Sequence, residues 1–299
     1  MNRKLWQKRL LGTLRLAIFV LACYFIYQII QENITALKTL EIKNKILFAS
    51  TFIASNLIYF LLIMALVLAW LVLLKFREPQ RCSKIYFKSQ IMKYLPGNIF
   101  HFMYRHQQTK NNNFTHKQLG MAAFYESLLL VMAAFIIANL LFYWPDQITW
   151  LTNWLPVPFW TIVLMEFVGA IFMARLMINA GFITALVSYL FYFMGMGLIT
   201  YLLIEALGFL SQPYIFMTAC FALSWLAGYV IPGAPGGTGV RELVFILLSS
   251  PKMPKHEALI IIALIRLISI FSEMAIYFLA EKLSRPYQHL SAWSDKTMP

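Results

Sequence analysis

Glu126, Glu166, Arg266 and Glu273 fall inside long apolar runs. A charge there is costly unless it is paired or hydrated, so each implies a buried partner or a wet cavity. Arg266 and Glu273 are seven residues apart and share one helix face. Arg241 and Glu242 follow a glycine-rich stretch, and Arg105 follows the pair Pro96 and Gly97. An arginine beside backbone amides freed from a helix suits a phosphate. Arg241 is therefore expected to contact a lipid phosphate or to close a pair with an acid such as Glu126, while Glu242 supports the loop through backbone amides. The plainer alternative is a helix start at which Glu242 favours the dipole and Arg241 snorkels to the headgroups. Arg105 belongs either to such a site or to the basic patch around it. Among five histidines, none forms the helix-spaced pair of a zinc hydrolase, and neither Gly-x-Ser-x-Gly nor a P-loop occurs. His101 remains as a phosphate ligand or proton carrier, against a plain interfacial histidine. Cys23, Cys82 and Cys220 lack metal-ligand spacing, so neither a metal nor a cofactor is expected.

Two interrupted stretches have to position these groups: 91–104, IMKYLPGNIFHFMY, and 231–249, IPGAPGGTGVRELVFILLS. Each sets Pro-Gly inside apolar sequence and then offers only a short helical pattern. Pro96, Pro232 and Pro235, with Gly233, Gly236, Gly237 and Gly239, make unbroken helices improbable. The freed backbone groups cannot face lipid and must be buried in protein or line a wet cavity. Such paired segments in the two halves of a transporter point to a binding site. Re-entrant hairpins are the expected form, and ordinary cytoplasmic turns the alternative. The expected lipid- or phosphate-binding residues are Pro96, Gly97, Asn98, His101, Arg105, Gly236, Gly237, Gly239, Arg241 and Glu242. Glu126, Arg266 and Glu273 form the expected buried charge network. Glu126 lies 30 residues after Pro96 and Arg266 lies 31 after Pro235, which reflects two related halves or coincidence.

The 299 residues are 61% hydrophobic and 12% charged, where a soluble domain carries about 25% charged residues. The chain therefore reads as an all-α, polytopic transmembrane bundle. Seven spans are expected at 11–30, 46–74, 119–142, 159–178, 182–207, 214–231 and 258–279, besides the two re-entrant segments. One integral membrane domain covers 1–299, with a short cytoplasmic amino terminus over 1–10 and a short tail over 281–299. The segment 75–117 holds nine Lys and Arg against the single acid Glu78, which assigns it and the amino terminus to the cytoplasm. The net charge of +13 fits orientation and anionic headgroups. No groove-reading or base-stacking motif accompanies it, so nucleic acid is not an expected partner. The side of the carboxyl terminus stays open, with Lys282 and Arg285 favouring the cytoplasm.

At these residues the chain resembles the lysylphosphatidylglycerol synthase transmembrane-region family of flippase-like membrane proteins. The likeness rests on Pro96, Gly97 and Arg105, then Glu126, then Gly236, Gly237, Gly239, Val240, Arg241 and Glu242, then Arg266. It covers about residues 10 to 285, and the stretch GGTGVRE is its most specific part. The resemblance implies a multi-pass protein of a bacterial or archaeal cell (inner) membrane that moves lipids or lipid-linked glycans. The aminoacyl-transferase and glycosyltransferase domains fused to some relatives are not expected here, so lipid aminoacylation is not carried over.

The leading expectation is translocation of an anionic phospholipid or a polyprenyl-phosphate-linked glycan, rather than enzymatic chemistry. The alternatives are a membrane-embedded transferase acting on a lipid-linked sugar, with Glu126 or Glu242 as base, and a scaffold of an envelope polysaccharide pathway. Partners beyond lipid would be further copies of the chain or envelope-biosynthesis enzymes.

Overall fold

The computed structural model describes residues 42–95, 99–111, 113–143, 181–210, 212–230 and 237–282, together with 24, 27, 31 and 171. The expected spans 11–30 and 159–178, Glu166, and the loop residues Pro96, Gly97, Asn98 and Gly236 lie outside the described residues.

The described residues are helical, with no strand. Helix α1 spans Lys45–Leu73, and α2, Pro79–Ser89, runs into a 3-10 turn at Gln90–Tyr94. Helix α3 spans Phe100–Thr109, and α4, His116–Ala138, runs into a 3-10 turn at Asn139–Tyr143. Then come α5, Gly181–Leu207, α6, Tyr214–Val230, α7, Val240–Ser249, and α8, Lys255–Lys282. Four of these helices are long and apolar enough to cross a membrane: α1, α4 with its turn, α5 and α8. The expected span 214–231 is the shorter α6, of 17 residues.

Local chemistry sets the ends. Asn44 caps α1 by accepting from the Leu47 amide at 3.0 Å. Thr115 and Gln118 form a reciprocal capping box at the start of α4. Helix α1 ends in a turn with Lys75, Phe76 and Glu78 in the left-handed region, a conformation that side chains other than glycine adopt at a cost of about 1–2 kcal/mol each. The Phe76 amide donates back to the Leu71 carbonyl at 2.8 Å. Glu78 accepts from Arg81 at 2.7 Å, Asn111 at 2.8 Å and Asn113, which ties this turn to the α3–α4 connection. His106 and His116 stack across the same connection, with ring nitrogens 2.9 Å apart.

Contacts at the ends give the direction of each helix. Gly181, at the start of α5, lies against Val72 near the end of α1, and Gly208, after α5, lies near Lys43 before α1. The two helices are therefore antiparallel. Gly195 and Gly197 leave no room for a methyl group against Leu62 of α1 and Thr218 of α6, the close approach that membrane helices use in place of hydrophobic driving force.

The described helices on either side of each interrupted stretch pair as a hairpin. In the first, α2 enters and α3 returns, so that Arg81 donates to the Gln108 carbonyl at 2.6 Å. In the second, α6 enters and α7 returns, so that Gln212 donates to the Lys252 carbonyl at 2.8 Å. The first opens at the end of α1 and the second at its start, because α6 follows α5. Each hairpin ends in a ten-residue helix followed by a short connection and a long helix. The end of α8 reaches the basic face, where Glu281 pairs with Lys88 at 2.6 Å. Helix α8 is the most buried of the four long helices: 72% of its apolar stretch is buried, against 56% in α5 and 39% in α1 and in α4.

Candidate functional site

Described residues of both hairpins line one cavity of about 120 Å³, room for several waters or one headgroup-sized anion. Its wall carries Lys93, His101 and Arg105 from the first hairpin, Trp225, Tyr229 and Arg241 from the second, Glu126 from α4 and Arg266 from α8. Four cations thus face one space, and Glu126 is the only carboxylate among the lining residues.

Arg105 is 1% exposed, which excludes the basic-patch reading. It donates to Glu126 at 2.9 Å. Its guanidinium lies 4.5, 4.6 and 5.0 Å from the ring centres of Trp70, Tyr86 and Phe102. Arginine suits such a site because its flat, weakly hydrated cation stacks on rings while its edge holds a carboxylate. The expectation that Glu126 pairs with Arg241 is therefore corrected. A nearer arginine on the preceding hairpin takes the carboxylate.

Arg266 pairs with Glu242 and donates to Thr238 at 3.3 Å. Glu242 also accepts from the Gly239 amide at 2.7 Å, closing the start of α7. This is the backbone support expected of it from the sequence. Glu273 is fully buried and does not pair with Arg266, although the two share a helix. Lys93 and Tyr59 donate to one of its oxygens, and Tyr94 donates to the other at 2.9 Å. Helical neighbours seven residues apart are about 10 Å apart along the axis, whereas the first hairpin brings Lys93 into contact.

Arg241 is held differently. Gly228 of α6 and Gly237 before α7 form a slot around its side chain, and a Cβ on Gly237 would come within 2.8 Å of Nε. Gly237 and Gly239 have φ of 75° and 84°, so the turn into α7 needs glycine at both positions. Trp225 stacks on Tyr229, with ring centres 4.8 Å apart, and lies 5.5 Å from the Arg241 guanidinium. Arg241 has no carboxylate within ion-pair distance among the described residues. Its Nε, Nη2 of Arg266, Nε of Arg105 and Nδ1 of His101 are buried without a hydrogen-bond partner among those residues. No group of three or more His, Cys, Asp or Glu able to hold a metal ion occurs among them.

Lys93, Gly228, Tyr59 and Trp225 were not singled out from the sequence. Lys93 was counted with the basic segment, and the only signal against that was its place as the third residue of the apolar stretch 91–95 leading to Pro96. The pairs Arg105–Glu126 and Glu242–Arg266 have one arrangement with the charges reversed: a residue of the ten-residue returning helix meets the middle of the next long helix. What the site can do is bind an anion, through the four cationic side chains that line one space. Comparison of the chain with protein-family models, with curated proteins and with solved structures returns no match.

Proposed function

We propose that this is a lipid translocator that passes the anionic headgroup of a phospholipid or a polyprenyl-phosphate-linked glycan through the central cavity. In this reading the chain is a single domain of a bacterial or archaeal cell membrane. It has about seven spans, two re-entrant hairpins and a cytoplasmic amino terminus, as the resemblance to the flippase-like family implies. The observation that carries it is the meeting of two broken hairpins, entered from opposite ends of α1, at one cavity walled by four cations. A cavity of about 120 Å³ takes a headgroup phosphate but not acyl or prenyl tails, so the tails stay in lipid while the charge crosses. Broken hairpins entered from opposite faces supply the two gates that alternating access needs.

The transferase alternative has one observation in its favour: Oε2 of Glu126 is buried without a hydrogen-bond partner among the described residues, as a general base awaiting a proton would be. Against it, Oε1 of Glu126 accepts from Arg105 at 2.9 Å, which ties the carboxylate into a buried ion pair.

The two separate on purified protein in liposomes. Labelled lipid is expected to exchange between leaflets faster than in empty vesicles, with its covalent structure unchanged. Arg241→Ala should slow exchange by about thirtyfold or more, the equivalent of about 2 kcal/mol for a truncated buried charge contact. Chemical conversion of the lipid, or exchange no faster than in empty vesicles, rejects translocation.

A further inference from the structure

The charges around the cavity can be counted. Lys93, Arg105, Arg241 and Arg266 line it, and Glu126, Glu242 and Glu273 are the carboxylates bonded to those cations. Glu242 and Glu273 reach their cations from behind the lining residues. Each carboxylate holds one cation, so among the described residues three pairs are neutral and Arg241 carries the surplus. Its place in a glycine slot, with Trp225 at its side, holds it at the cavity wall.

We infer that the cavity is built for one phosphodiester, a phosphate carrying a single negative charge, bound between Arg241 and Arg266. This rests on the translocation reading and narrows its substrate class. A diester cancels the one surplus charge. A phosphomonoester carries about 1.5 to 2 negative charges at pH 7, and a pyrophosphate more, which leaves uncompensated negative charge in a space where little water screens it. The lining matches the diester as well. The Arg241 and Arg266 side chains both line the cavity, and the two unesterified oxygens of a diester accept from two guanidinium groups. Thr238, which bonds Arg266, orients that guanidinium. The count takes His101 as the neutral imidazole.

Both a glycerophospholipid such as phosphatidylglycerol and a polyprenyl-phosphate-linked sugar present this group. The test uses matched pairs of labelled lipids in liposomes at pH 7.5. Phosphatidylglycerol is compared with phosphatidate on the same acyl chains, and a polyprenyl-phosphoryl-hexose with a polyprenyl pyrophosphate. The diester of at least one pair should exchange about tenfold faster or more, the scale of one buried charge contact; the pair that does so identifies the lipid source. Glu242→Gln and Glu126→Gln each add one positive charge from different sides of the cavity. Both should shift preference toward the monoester or pyrophosphate, and Arg241→Lys should keep the wild-type order. Equal exchange within both pairs overturns the single-charge assignment and leaves translocation standing. So does an order unmoved by either glutamine variant.

If no lipid moves at all, translocation fails, and the charge count is decided separately by binding. Tryptophan fluorescence of the detergent-solubilised protein is then titrated with short-chain phosphatidylglycerol and phosphatidate. Tighter binding of the diester supports the assignment, and equal or weaker binding overturns it.

Discussion

Gly228 lies in the last turn of α6, where alanine would still be the better helix former by up to about 1 kcal/mol. Here a methyl group would collide with Cγ of Arg241 and come within 2.9 Å of its Nε. Gly228→Ala should therefore leave the secondary structure intact while pushing the guanidinium off the cavity wall. The expected outcome is loss of lipid exchange comparable to that of Arg241→Ala, with an unchanged circular dichroism spectrum; normal exchange would show that the slot does not position Arg241. The Arg105–Glu126 pair behaves in the opposite way, because each partner leaves the other stranded. Glu126→Ala should destabilise the protein by about 3–5 kcal/mol, read as a lower denaturation midpoint in detergent. The double change Arg105→Met with Glu126→Leu should recover most of that loss, since two apolar side chains strand no charge.

At the scale of elements, the latch at Glu78 makes acid the test of how the first hairpin is anchored. The hydrogen bonds from Arg81, Asn113 and Asn111 hold its carboxyl well below the usual carboxylate range, at about 2. A lowered value means that the stabilisation is present above the ordinary pKa near 4.5 and is lost as the pH falls from there toward 2. The α3–α4 connection should loosen in that window, seen as faster proteolysis near Asn113, and Glu78→Gln should show the loosened state at neutral pH. The parts of the site that were legible in the sequence were the ones that break a rule locally. Pro-Gly inside apolar sequence marked both hairpins, and charges inside apolar runs marked Glu126, Arg266 and Glu273. What could not be read was who meets whom. Lys93 looked like one more cation of a basic segment, since its acid partner is 180 residues away. Glu273 looked like the partner of Arg266 because only helical periodicity was visible. A lone glycine in an apolar helix, as at Gly228, carries no sign of the arginine that fills the space beside it.

Across the whole molecule, the two hairpin-plus-helix units run in opposite senses about the cavity, and their ion pairs have opposite polarity. On the translocation reading, opening one gate while the other stays closed requires only one pair to separate at a time. A disulfide placed between α7 and α8 should trap lipid exchange at one gate, and one between α3 and α4 at the other. Each should stop net exchange while still allowing the probe to be quenched from the face that stays open. The ties to α8 also set an order of events during synthesis. Lys88 and Lys93 are made early, but Glu281 and Glu273, which hold them, arrive about 180 residues later, roughly 10–40 s at ordinary translation rates. Lys88 and Lys93 of the first hairpin stay unmatched until the last helix arrives and locks them, so assembly ends in a late capture rather than proceeding helix by helix. A chain arrested before α8 should therefore remain protease-sensitive at its first hairpin however long it resides in the membrane.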